Sequence, residues 1–164
     1  MFANRFTAVI DACSLAGALK RNLLLTLAEA DFFRIRWSPL IMDETERAIE
    51  RILEAKGAGD ARERARRARS AMEIAFEDAS VTDFEALLPS CRQLPDPKDA
   101  HVLAAALETQ AAMIVTENLS DFPTAILGPL NLEAKSADAF IADRADPQDG
   151  SRRPDRYRRR PAPS

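Results

Sequence analysis

Histidine and cysteine are nearly missing from this chain, which has one histidine, His101, and two cysteines, Cys13 and Cys91, in 164 residues. Two thiols so far apart make neither a disulfide framework nor a zinc site. Each sits among apolar neighbours, so both are expected as buried free thiols. No apolar run approaches the roughly 18 residues of a membrane helix, and the N-terminus has no signal-peptide pattern. The expectation is a cytoplasmic protein with no membrane contact. Internal repeats are absent as well. What is present, 46% apolar and 30% charged residues, is the composition of a single soluble domain with a real core.

Charge is unevenly spread. The net charge is −3, yet residues 151–164 carry six arginines against one aspartate, +5, which leaves −8 for the rest. An acidic body gives no argument for nucleic acid from net charge, although local patches and bound cations decide such contacts more than the total does. Residues 146–164 hold Pro, Asp, Gly and Arg without apolar anchors and are expected to be a disordered tail. The domain is expected to span residues 1–145.

Along the chain, strand-like and helix-like stretches alternate. Residues 6–12, FTAVIDA, form a short apolar run of β-formers and read as a buried strand ending at Asp11. In open parallel sheets ligands bind at the carboxyl ends of strands, so an acid there is a site candidate. It is equally placed to cap the following helix, a role Ser14 could take instead. Residues 15–30 have helical apolar spacing and 33–38 read as a second strand. Ser38-Pro39 is a cap-and-proline start for a helix running to about Lys56, where Gly57 and Gly59 stop it. In that helix Asp43, Glu46, Glu50 and Glu54 face away from the apolar stripe. Glu44, at its edge, is the acid expected to point inward. Residues 60–76 predict another helix whose Arg62, Arg64, Arg66, Arg67 and Arg69 read as a solvated face, with phosphate contact as the alternative. Residues 79–82 suggest a short strand and 83–92 a short helix.

Residues 94–122, LPDPKDAHVLAAALETQAAMIVTENLSDF, hold the least ordinary pattern. Asp96 before Pro97 predicts an N-cap and a helix start. At about 100° per residue, Asp96 and Asp99 share a face with Leu103, Ala106 and Leu107, while Lys98, His101 and Glu108 fall opposite. Two acids on an apolar face ask for a cation, because a buried ionised carboxylate is unfavourable without one; the plainer alternative is that both serve the positive end of the helix. His101, on the polar side, is expected to be exposed. Residues 112–116, AMIVT, read as a strand ending at Thr116, and the turn after it offers Asn118 and Asp121. Residues 131–134 and 136–144, with Ser136 as cap, predict a last strand and a closing helix. The alternation implies an α/β fold, a parallel sheet covered on both faces.

Asp11, Glu44, Asp99, Asn118 and Asp121 thus come from separate segments that a parallel sheet brings to one edge, with Asp96 beside them as a cap. All are oxygen donors, which suit Mg²⁺ or Mn²⁺. In this order, VID, an acid in the helix after the second strand, DPKDAHVLAAA and IVTENLSDFP, the chain resembles the PIN domain, above all the VapC-type toxins of bacterial toxin–antitoxin pairs, over residues 7–142. The resemblance implies a three-layer α/β/α fold with a central parallel sheet of four to five strands. It also implies a metal-dependent endoribonuclease, an RNA substrate, a cognate antitoxin and a homodimer. Asp11, Glu44 and Asp99 match the family's main acidic positions. At the fourth, where many PIN domains have aspartate, stands Asn118, with Asp121 three residues later as its replacement. Ser14 and Thr116 are candidates for orienting water or phosphate.

Two rival readings accompany this one. A PIN-fold binding module without catalysis is kept open by Asn118, which brings no charge. A phosphatase using Asp11 as nucleophile is opposed by Cys13, which stands where such enzymes carry a second acid.

Overall fold

A computed structural model describes residues 6–145; the expected tail, residues 146–164, lies outside the described residues. Four strands, β1 (Thr7–Ile10), β2 (Arg34–Arg36), β3 (Met113–Val115) and β4 (Glu133–Lys135), form one parallel sheet in the order β2-β1-β3-β4. The fold is the expected α/β class with four strands. Apart from the half-buried Thr7, β1 and β3 are buried and made of Val, Ile, Ala and Met, as a sheet covered on both faces demands. The helices are α1 (Ala12–Leu15), α2 (Ala18–Glu29), α3 (Pro39–Ala55), α4 (Ala61–Ala75), α5 (Ala100–Glu108), α6 (Thr124–Leu127) and α7 (Ala137–Ala145). They flank the sheet in three layers: α5 lies against β1 and β3, while α2 packs on α7 and touches β2. Among the described residues no helix is long and apolar enough to cross a membrane.

The strand order has one reversal. The chain leaves β1 for β2 on one side and returns to β3 on the other, so the carboxyl ends of β1 and β3 flank a switch point, where open α/β sheets form their ligand crevice.

Local signals set most boundaries. The Ser38 hydroxyl accepts from the Ile41 amide at 3.2 Å with Pro39 in the first turn of α3. At the other end Gly57 adopts φ +81°, and the Ala58 amide reaches back to the Leu53 carbonyl, closing a left-handed cap that few residues but glycine enter cheaply. Ser136 caps α7 through the Ala139 amide.

Elsewhere the structure corrects the reading. The helix expected over 15–30 is two helices separated at Gly17, because α1 starts directly at Asp11 and the chain turns before α2. Residues 79–82 form no strand: a single bridge joins Ser80 to Trp37. Residues 85–91 wind as a 3-10 helix carrying Pro89, whose missing N–H suits a short irregular turn better than an α-helix interior. Arg69 leaves the expected solvated face, bonding Asp43 of α3 at 2.6 Å and Glu73 at 2.8 Å. Arg64, Arg66 and Arg67 are exposed, pairing within α4 or with its cap residue Asp60. Cys91 is buried and free as expected, whereas Cys13 is free but only partly buried.

Candidate functional site

The site begins with the sheet's hydrogen bonding. The Asp11 amide donates to the Val115 carbonyl at 2.9 Å, carrying the β1–β3 ladder one residue further and fixing Asp11 at the carboxyl edge. Its side chain is 5% exposed and held at both oxygens. Oδ1 accepts from the Ala12 amide at 2.8 Å, capping α1, and Oδ2 accepts from the Thr116 hydroxyl at 2.9 Å. The capping and site readings of Asp11 are therefore compatible. The fully buried Thr116 hydroxyl also accepts from the Asn118 amide at 3.1 Å, so one hydroxyl orients the acid and the turn after β3. Burial pushes the Asp11 carboxyl above its ordinary range; the bonds from Thr116 and Ala12 pull it down, and the Glu44 charge pushes it up again. The net direction is upward.

Asp99 arrives from the other side. Asp96 accepts from the Lys98 amide at 3.0 Å, and Pro97–Asp99 form a 3-10 turn that delivers Asp99 to the N-cap position of α5. The expected helix thus starts as a tighter turn. Asp99 Oδ2 is buried with no hydrogen-bond partner among the described residues. Its pKa rises to about 6, first through burial, then through the charges of Asp11, Asp121, Asp96 and Glu44.

Glu44 points inward, as its place on the helix edge suggests. Its Oε1 lies 2.8 Å from Nε2 of His101. His101 was expected on a polar face, but it is only 9% exposed. The reason is α5 itself: Ala100 through Ala106 are all buried, so this stretch has no solvent side and the two-faced wheel does not apply.

Asp11, Glu44, Asp96, Asp99 and Asn118 line one open pocket of about 500 Å³, together with Cys13, Arg47, Arg51 and Lys98. A liquid water takes about 30 Å³, so a phosphodiester and its hydration fit. Asp121 does not line this pocket. It ends the 3-10 turn Leu119–Asp121, near enough for its charge to act on Asp99. Ser14 turns away too: its hydroxyl bonds Glu117 Oε1 at 3.2 Å. Glu117, which the sequence did not single out, also accepts from the Ala137 amide and pairs with Lys20 at 3.4 Å, bracing α7 against the end of β3. Cys13 was not singled out for the site either. Its sulfur accepts from the Glu117 amide at 3.2 Å and lies 3.4 Å from the Thr116 hydroxyl. Its position two residues past a strand-end acid was the available signal.

The donor set fits a hard divalent cation: carboxylates and one amide side chain line a single pocket, and a buried carboxylate oxygen lacks a hydrogen-bond partner among the described residues. Among the described residues no three acid, histidine or cysteine side chains are already gathered at ligating distances. The raised pKa of Asp99 reflects burial first and the surrounding acids second, and an opposite charge in the pocket would relieve both.

Comparison with known proteins agrees with this geometry. The profile of a PIN domain family matches residues 7–120. Over 49 residues the chain is 47% identical to a Mycobacterium tuberculosis protein named "Putative ribonuclease VapC50", a match spanning 30% of this chain and 29% of that protein. No solved structure gives a significant match.

Proposed function

Because the chain belongs to the PIN domain family, we propose that it is a Mg²⁺- or Mn²⁺-dependent endoribonuclease, the toxin of a toxin–antitoxin pair. The observation that carries this reading is the convergence of Asp11, Glu44, Asp99 and Asn118 on one pocket at the sheet's switch point, with Asp99 Oδ2 buried and unpartnered among the described residues. The name of the partial relative supports RNA as substrate, and resemblance to VapC-type toxins extends the reading to a cognate antitoxin and a homodimer.

The residues that would hold the ion are Asp11, Glu44, Asp99 and Asn118, with Asp121 close behind Asp99. A divalent ion supplies Lewis-acid stabilisation of phosphoryl charge and lowers the pKa of an attacking water. The chain's own contribution is preorganisation. Thr116 and the Ala12 amide fix Asp11 in one rotamer, and Asp96 holds the turn that aims Asp99. With a pKa of about 6, Asp99 is mostly ionised at neutral pH and carries its charge when a cation arrives.

Arg47 and Arg51 stand one turn apart on α3 beside the pocket, with Lys98 across from them, and none forms an ion pair among the described residues. They are placed to take the phosphates flanking the cut. Replacing Arg47 and Arg51 by Ala is expected to flatten the salt dependence of RNA affinity by about 0.7 in log–log slope per lost contact. Fluorescence anisotropy with a cleavage-deficient Asp99→Asn background reads this directly, and an unchanged slope removes both arginines from the interface.

The reading as a whole is tested by incubating the purified chain with labelled RNA and Mg²⁺ or Mn²⁺, with and without chelator. Chelator-sensitive cleavage is expected. Absence of cleavage with either metal, together with no metal binding by calorimetry, rejects the nuclease; RNA binding without cleavage assigns a binding module instead.

A further inference from the structure

We propose that His101 is a positioning residue that locks the Glu44 carboxylate toward the pocket and so sets the spacing between the acids of α3 and α5. The inference rests on the nuclease reading above. Glu44 alone is poorly constrained: its side chain is 40% exposed and it has three rotatable bonds before the carboxylate. His101 is the opposite case, 9% exposed, on a helix whose neighbours from Ala100 to Ala106 are all buried. The 2.8 Å contact from Nε2 to Oε1 therefore ties a loose side chain to a rigid element. A carboxylate only accepts, so Nε2 donates. Oε2 makes no hydrogen bond among the described residues and is left for the pocket.

The placement along α5 gives the contact its consequence. His101 lies two residues after Asp99, so the element that presents Asp99 also anchors Glu44. Outer partners that orient ligating groups are worth about 10–100-fold in metal affinity. The buried Nδ1 has no partner among the described residues. A ring whose second nitrogen serves nothing else is held for the bond its first nitrogen makes.

The test uses the full chain. Mn²⁺ affinity by calorimetry and RNA cleavage are measured for wild type, His101→Leu, His101→Gln, Glu44→Ala and the Leu/Ala double variant, with thermal melts of each. Expected are about 10-fold weaker Mn²⁺ binding in H101L, near wild-type affinity in H101Q, whose amide nitrogen reaches the position of Nε2, and no further loss when H101L is added to E44A. If H101L does not fold, His101→Asn replaces it, since its shorter amide falls short of Glu44 and should fail where Gln succeeds. Unchanged Mn²⁺ affinity in H101L, Gln no better than Leu or Asn, or losses that add in the double variant each overturn the proposal. A wild-type chain that neither binds Mn²⁺ nor cleaves RNA overturns the nuclease reading and this inference with it, which separates the two failures.

Discussion

Asp99→Asn is expected to abolish RNA cleavage and, in the same protein, to raise the melting temperature measured without metal at neutral pH. The loss should exceed the roughly 10–100-fold attached to an outer partner of a ligand, because the substitution removes a charge that the cation would meet directly. The gain follows from the same charge. Asp99 has a folded pKa of about 6 against an ordinary 3.8, so the native state binds its proton more tightly than the unfolded chain does. Its contribution to stability is therefore fully present below about pH 4 and is lost as pH rises through 6. Asparagine has no such term. The variant's advantage should appear above pH 6, shrink as pH falls and vanish near pH 4; each kcal/mol relieved is about 2–4 °C in a domain of this size. Melts at pH 4 and 7.5, with and without Mn²⁺, check both halves: Mn²⁺ should stabilise wild type at pH 7.5 and leave the variant unmoved. An Asn variant that melts below wild type at pH 7.5, or cleaves within tenfold of it, contradicts the account of Asp99 as a repelled, cation-seeking carboxylate.

Thr116→Val is expected to be the costliest single-atom change in the site. Val matches Thr in shape but lacks the hydroxyl, which here donates to Asp11 Oδ2 and accepts from the Asn118 amide, all in a fully buried position. A hydrogen bond to a charged group contributes about 1.5–3 kcal/mol, and an abandoned buried donor adds its own desolvation cost. Without Thr116 the Asp11 carboxyl, already raised by burial, rises further. The penalty falls on the charged form, so it is fully felt above the raised pKa and eases as pH drops and Asp11 protonates. Urea midpoints should differ more at pH 7.5 than at pH 4.5, cleavage should fall with them, and Thr116→Ser should restore most of both. Equal midpoints for Val and Thr at pH 7.5 would show that Asp11 does not depend on this hydroxyl.

Much of this arrangement is legible in the residues. Caps carry local instructions: Ser38-Pro39, Asp96-Pro97 and Ser136 each open a helical element where the sequence predicts one, and Gly57 closes α3. Strand-end acids are legible because a parallel sheet gathers its carboxyl ends, and Asp11, Glu44, Asp99 and Asn118 do meet in one pocket. What was illegible depends on partners distant in sequence. Nothing near Ser14 says that Glu117 will take its hydroxyl, and nothing near His101 says that Glu44 will. Periodicity misplaced His101 because a wheel assumes that a helix has an outside, whereas α5 is enclosed. Asp121 follows Asn118 in a 3-10 turn, whose pitch swings it off the pocket lining.

The strand order also governs when the pocket can assemble. β1 meets β2 across a short stretch of chain, but its other neighbour, β3, joins Ala8 to Met113, and the Thr116–Asp11 bond closes a separation of 105 positions. At about 5–20 residues per second, a ribosome needs on the order of 5–20 s to supply the missing partner. For most of that interval Asp11 has emerged with neither Thr116 to orient it nor Asp99 to face it. Synthesis itself acts as a timer for the pocket, and a chain stalled before β3 holds Asp11 without the strand that completes its surroundings.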